Sequence, residues 1–184
     1  MSSAILIVLV SVAVVILWLV FTFNGLVHGR NRVHEAWSDI EVQLRRRYDL
    51  VPNLVSAVKG YATHEKQVFD DVTNARAKAM SAQTPQDHAL TENMLTQTLK
   101  SLFAVSENYP ALQASQNFLG LQRDLTDAED KIQAARRFYN SQVRDYNTRL
   151  QVFPTNLVAG PFGFSRSEFF DAPDELDRAP EVTF

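Results

Sequence analysis

The sequence contains no cysteine, which excludes a disulfide framework, a thiolate zinc site and a cysteine nucleophile. It also lacks an excess of positive charge. Eighteen basic residues against 21 acidic ones leave a formal charge of −3, too small and of the wrong sign for a dedicated nucleic-acid binder. Strict alternation of apolar and polar residues is essentially missing, so no β-sheet is expected. A length of 184 residues suits one domain of ordinary size and argues against a two-domain enzyme. Glycine and proline are scarce, six and seven in all, and neither occurs between Leu121 and Phe153. The most informative absence is local: no Lys, Arg, Asp or Glu precedes Arg30.

What fills that uncharged stretch is a run from Ala4 to Phe23 in which Ser11 and Thr22 are the only polar side chains. As a helix it rises about 30 Å, the thickness of a bilayer's hydrocarbon core. Trp18, Phe21 and Phe23 gather at its far end, as aromatic residues do at a membrane interface. A cleaved signal peptide is the competing reading. The run is too long for a usual signal core, no basic segment precedes it, and no small-x-small cleavage pattern appears near Asn24. Residues 1–24 therefore read as a transmembrane anchor. Arg30, Arg32, Arg45, Arg46 and Arg47 all follow the span, and the positive-inside rule then places the N-terminus outside and the body in the cytoplasm.

Residues 25–153 are helical in pattern. Val33, Trp37, Ile40, Leu44 and Arg47 step by four and three, one apolar stripe that ends in a charge. Gly25 and Gly29 are the expected place for any bend. Tyr48 to Pro52 is expected to interrupt this helix, with Asp49 capping a new one and Pro52 in its first turn. The second helix then runs to about Ala82 on a heptad seam of Val51, Leu54, Val58, Tyr61, Glu65, Val68, Val72, Ala75 and Ala79, which implies coiled-coil-like packing. A third runs from about Gln86 to Glu107, with Leu95, Leu99, Leu102 and Val105 on one face and Phe103 beside it, and stops before Pro110. A fourth runs from about Leu112 to Phe153 through Phe118, Leu121, Leu125, Ala128, Ile132, Ala135, Tyr139, Val143, Tyr146, Leu150 and Phe153. The fold class is thus all-α: a transmembrane helix followed by an elongated antiparallel four-helix bundle. The fourth helix would be about 60 Å long and the third nearer 30 Å, so part of a seam must be covered by the first helix or by another chain. That mismatch points to a homo-oligomer.

From residue 154 the character changes. Four of the seven prolines and six of the twelve phenylalanines lie in Phe153 to Phe184, and Ser165 to Phe184 carries two basic and six acidic residues. The tail is therefore aromatic and turn-rich first and acidic from Asp171 onward. An up-down-up-down bundle brings the end of its fourth helix back toward the bilayer. Phe162, Phe164, Phe169 and Phe170 would then contact lipid headgroups or a neighbouring protomer, or else close the bottom of their own bundle.

The search for chemistry is mostly negative. His64-Glu65 opens like a zinc-protease motif, but Val68 stands where the second ligand belongs. The four histidines, His28, His34, His64 and His88, form no i, i+4 pair. No nucleophile elbow, phosphate loop or dinucleotide fingerprint is present. No catalytic, cofactor-binding or metal-binding residue is assigned, and the chain reads as non-enzymatic.

Two charged features remain. Glu65 interrupts an apolar seam, and a buried carboxylate needs a partner or a proton. It either joins a buried polar network with a basic residue of the first or fourth helix, or lies where solvent reaches the bundle. Arg45-Arg46-Arg47 either meets lipid phosphates or is solvated and paired with acidic residues of the second and fourth helices.

The longest motifs are Asp39-Ile40-Glu41-Val42-Gln43-Leu44 followed by Arg46-Arg47-Tyr48-Asp49-Leu50-Val51-Pro52-Asn53-Leu54. Val58-Lys59-Gly60-Tyr61-Ala62, Glu107-Asn108-Tyr109-Pro110, Phe138-Tyr139-Asn140, Phe153-Pro154 and Phe162-Gly163-Phe164 follow. In these the chain resembles the LemA family over nearly everything after the span. The resemblance implies a bacterial protein with an N-terminal membrane helix and a helical bundle facing the cytoplasm. It supplies no catalytic residues. It also implies a relation to a branch associated with magnetosome membrane formation, and to genes that often neighbour a membrane metalloprotease. The leading expectation is a self-assembling, single-pass scaffold of the bacterial inner membrane that organises or remodels the bilayer. The alternative is an adaptor for a membrane protease or other envelope quality-control complex. The expected partners are the lipid bilayer, further copies of the chain, and such an envelope protein, with no nucleic acid and no cofactor.

Overall fold

The computed structural model describes residues 3–170, and among them there is helix, turn and loop but no strand. The all-α class holds. The elements are α1 (Ser3–Lys59), α2 (Lys66–Ser81), α3 (Pro85–Ser106), α4 (Pro110–Gln113), α5 (Gln116–Gln151) and α6 (Asn156–Ala159). The acidic stretch from Asp171 onward lies outside the described residues.

One expected boundary is wrong. α1 does not end near Tyr48; it continues through Pro52 and stops at Lys59. A proline inside a helix has no N–H to give the carbonyl four residues earlier, which here is that of Tyr48. That carbonyl is not left bare, because Arg76 Nε donates to it at 2.7 Å. A side chain from α2 thus replaces the missing backbone donor, and the apolar stripe carries the helix through. The break falls instead at residues 60–65, a turn opened by bonds from the Gly60 and Tyr61 N–H groups to the Ser56 and Val58 carbonyls. Gly25 and Gly29 cause no interruption. The start of α3 follows local rules: the Thr84 side chain accepts from the Asp87 N–H at 3.1 Å, and Pro85 occupies the first turn. The expected fourth helix divides into α4 and α5, the latter opened by the Ser115 carbonyl accepting from the Leu119 N–H.

The chain forms two compact units that do not follow the three sequence segments. The first holds the residues up to Trp37 together with Phe138–Ser167. In it the two helical stretches run antiparallel, since Trp37 meets Tyr139 edge to face with centroids 5.4 Å apart and Gly29 lies against Tyr146. A Cβ at Gly29 would come within 3.1 Å of the Tyr146 ring, so glycine permits this approach. Asn147 fixes the returning chain by two bonds, accepting from the Ser167 N–H and donating to the Ser167 carbonyl, both at 2.9 Å.

The second unit holds Ser38–Arg137 with the described residues from Glu168 on. It contains α2, α3, the short α4 and the remaining parts of α1 and α5, with α2 packed on α3. Its core comes from the predicted stripes: Ile40, Leu44, Val51, Leu54 and Val58 of α1, Val72, Ala75 and Ala79 of α2, Leu95, Leu99 and Leu102 of α3, and Leu125, Ala128 and Ile132 of α5 are all buried. The length mismatch between the third and fourth helices is resolved within the chain. Tyr139, Val143 and Tyr146 of α5 are buried in the first unit, so this seam does not call for a second copy.

Candidate functional site

In the first unit the apolar residues divide sharply. From Ile5 to Leu17 the large side chains of α1 are all exposed, and burial begins at Trp18 and Leu19. An 18-residue window of this helix is long and apolar enough to cross a membrane. At its end Leu26, Val158, Ala159 and Phe164 form a buried cluster against which Trp18, Leu19, Phe23, Val27 and Leu150 pack. Phe23 lies at the centre, its ring edge to face with Phe164 at 5.6 Å and with Phe162 at 5.3 Å. The Arg30 guanidinium sits 5.4 Å from the Phe164 ring centroid, a cation–π contact. The bend at Gly163, with φ 72°, is one that glycine adopts without strain, and it turns Phe164 in while Phe162 stays out.

The second unit is built around a charge. Arg47 is buried, and its Nη1 pairs at 3.0 Å with both Glu92 of α3 and Glu129 of α5. Its Nη2 donates to Thr96 Oγ1 at 2.7 Å, while its buried Nε has no partner among the described residues. Tyr48, next along α1, offers its hydroxyl to Glu92 and to the Ala79 carbonyl. A hydroxyl has one proton, so Tyr48 serves these two acceptors one at a time. Burial raises the Glu92 pKa, against the pull of the Arg47 charge and the Tyr48 bond. Burial likewise pushes the Tyr48 phenol well above its usual range, with the Glu92 carboxylate adding to the effect. These side chains tie α1, α2, α3 and α5 to one register.

Arg47 also forms the floor of an open groove of about 440 Å³ with Leu99, Phe103, Leu125 and Glu129 among its walls. At the surface of the same unit Arg46 reaches Asp127 at 2.8 Å, and Lys131 reaches it at 3.0 Å. The Lys131 bond, and then the Arg46 bond, hold the Asp127 pKa down. The arginine run is therefore divided: Arg45 is exposed, Arg46 pairs with α5 as expected, and Arg47 is inside.

The sequence-selected residues fall as follows. Glu65 stands at the boundary before α2, half-buried, with no capping bond from its side chain. The heptad seam that would have buried it is broken by the 60–65 turn, and Tyr61 is exposed while Phe69 is buried. The buried network sits on Arg47 and Glu92 instead. Its signal was present, since Glu92 continues the Leu95, Leu99 and Leu102 stripe backward by three residues and Arg47 ends the α1 stripe. The four tail phenylalanines separate. Phe162 and Phe164 belong to the first unit, exposed and buried respectively, while Phe169 and Phe170 belong to the second. Phe170 is fully buried, with the Arg136 guanidinium 4.7 Å from its ring centroid. Phe164 and Phe170 are thus core residues of their own chain. Among the described residues no group of three or more His, Asp or Glu could hold a metal ion.

Comparison with known proteins gives one family match: the LemA family profile covers residues 36–184. Magnetosome protein MamQ 2 of Paramagnetospirillum magneticum is 27% identical over 187 residues, spanning 87% of this chain and 68% of that protein. Magnetosome protein MamQ of Magnetospirillum gryphiswaldense is 25% identical over 179 residues, spanning 83% of this chain and 65% of that one. Protein LemA of Metamycoplasma hominis is 24% identical over 156 residues, with 84% and 71% covered. The chain thus spans about two thirds of the length of these relatives.

Proposed function

Because the chain belongs to the LemA family, we propose that it is a single-pass, non-enzymatic scaffold of the bacterial inner membrane that self-associates to organise or remodel the bilayer. A membrane-associated helical protein is the part that the apolar helix, the family match and the magnetosome relatives support together. The observation that carries the scaffold reading is the exposed apolar run of α1: among the described residues Ile5 through Leu17 stay exposed, and lipid is the solvent that makes such a run stable. Anchoring confines copies to a plane and raises their effective concentration, so weak lateral contacts suffice for assembly. The basic residues that follow the run support an outside N-terminus and a cytoplasmic body.

A second reading, an adaptor for a membrane protease or other envelope complex, is favoured by the groove over Arg47, whose Leu99, Phe103 and Leu125 walls would take an apolar segment of a partner. Sizing chromatography with light scattering on the detergent-extracted chain separates the two. A large particle of defined mass is expected for the scaffold. A monodisperse monomer sinks self-assembly and leaves the adaptor.

A further inference from the structure

We propose that the segment from Phe153 to Phe162 is a membrane-interfacial collar, a second lipid contact seated against the end of the apolar run and immersed in the headgroup–acyl boundary. The inference rests on the membrane-anchor reading of α1 and adds to it a part of the chain far away in sequence.

Three observations meet here. The segment is attached to the span itself: Val158, Ala159 and Phe164 pack with Leu26 and against Trp18, Leu19 and Phe23. Trp18 lies five residues inside the end of the apolar run at Phe23, about 7.5 Å along a helix. Interfacial segments bury their apolar faces about 5–10 Å below the headgroups, so whatever packs on Trp18 and Phe23 shares that depth. Next, the segment turns its large apolar side chains outward. Phe153 is 79% exposed, Leu157 61% and Phe162 59%, with Phe21 of α1 at 74%. Isolated exposed apolar residues are ordinary, but here three lie within ten residues of chain held against a membrane helix. Finally, polarity changes in the correct direction. The first charged residue of α1 is Arg30, and its guanidinium lies over the Phe164 ring, a cation on an aromatic at the level where headgroup phosphates begin.

The occupant is lipid and not a second copy, because the exposed side chains continue the lipid-facing surface of the span, from which the cluster at Trp18 and Phe23 joins them without a break. Phe162 illustrates the arrangement. Its ring touches Phe23 at 5.3 Å, yet most of its surface is open, as expected of a side chain shared between protein and bilayer.

The absence of cysteine allows single nitroxide labels at Leu157→Cys, Phe162→Cys, Val12→Cys and Ser101→Cys. Each full-length chain is reconstituted in phosphatidylethanolamine–phosphatidylglycerol vesicles. Accessibility to oxygen, which concentrates in lipid, is compared with accessibility to a water-soluble nickel chelate. Labels at 157 and 162 are expected to favour oxygen, as at 12, with the ratio reversed at 101. Nickel preference at 157 and 162 with oxygen preference at 12 overturns the collar and leaves the anchor standing. Nickel preference at 12 removes the anchor reading and the collar with it. Dipolar broadening at 157 or 162 that disappears on dilution with unlabelled protein means a neighbouring copy covers the segment, and also overturns the collar. Because the labelled positions are exposed, an intact helical circular dichroism spectrum is expected for each variant; whichever of 157 and 162 retains it decides the question.

Discussion

The two units solve the problem of burial differently. The first gathers an aromatic and aliphatic cluster around Phe23, Leu26 and Phe164, with one cation resting on a ring at its edge. The second places an ion pair, Arg47 with Glu92, among its buried side chains. An apolar cluster is non-directional and tolerates sliding, which suits residues at a bilayer boundary. A buried arginine is the opposite: its fork demands acceptors at fixed positions on other helices. One unit has what is needed to sit at a membrane, and the other has what is needed to hold four helices in one register.

The largest test of that contrast is Arg47→Met. Removing the cation leaves Glu92 buried beside Tyr48 without its counter-charge, a change that typically costs about 3–5 kcal/mol. The midpoint of thermal unfolding in detergent, read by circular dichroism, is expected to fall accordingly. The double substitution Arg47→Met with Glu92→Met should recover most of the loss, because well-packed apolar side chains replace buried ion pairs at little cost. Both tryptophans, Trp18 and Trp37, lie in the first unit, so tryptophan emission reads that unit separately. If emission and circular dichroism shift together under Arg47→Met, the two units unfold as one and the contrast is one of chemistry, not of stability.

The next effect concerns a single hydrogen bond. Arg76→Ala removes the donor that stands in for the missing N–H of Pro52, leaving the Tyr48 carbonyl unpaired in the second unit at a cost of about 1–3 kcal/mol. In a Pro52→Ala background the backbone supplies its own donor, and the same Arg76→Ala substitution should then cost much less. Equal losses in both backgrounds would mean that Arg76 stabilises the unit by some other contact.

This pair also shows where sequence reading succeeds and fails. The stripes from Val33 to Leu44, Leu95 to Leu102 and Leu125 to Tyr146 are legible because each residue's burial depends on its own helix period, and α3 is bounded by recognisable signals, Thr84-Pro85 at its start and Asn108-Tyr109-Pro110 after its end. Pro52 was misread because its tolerance depends on Arg76, which lies in a different helix and carries no local signature. Glu65 was misread for the same reason in reverse. A heptad count runs across the 60–65 turn without noticing it, so that Ala62 and Phe69 take the places given to Tyr61 and Val68, while Val72, Ala75 and Ala79 fall back on the seam. The Arg47–Glu92 pair was visible as two charges on two apolar stripes, but only the three-dimensional register brings them to 3.0 Å. The separation of Phe164 from Phe170 into different units depends on the Gly163 bend and on Asn147 holding Ser167, neither of which periodicity records.

The smallest expected effect is on pH dependence, and it again falls on one unit. Burial raises the Glu92 pKa above its unfolded value of 4.5, so this carboxyl holds a proton more tightly in the folded chain. Its contribution to stability is full below about pH 4.5 and is lost as pH rises through the folded value. His88, in the same unit, is shifted down from 6.5 by burial, so its contribution is present above about pH 6.5 and lost as pH falls through its folded value. The two oppose each other in the acid range, and the wild-type profile should be shallow. Glu92→Gln removes one of them. The unfolding midpoint of the wild type relative to this variant should therefore decline as pH is raised from about 4.5 to 8, while His88 acts equally on both. Asp127 titrates in both chains as well, and being at the surface its bonds to Lys131 and Arg46 are screened by salt. A difference that grows with pH would mean that the Arg47 charge outweighs burial and holds the folded Glu92 pKa below its unfolded value, so that the pair stays charged throughout this range.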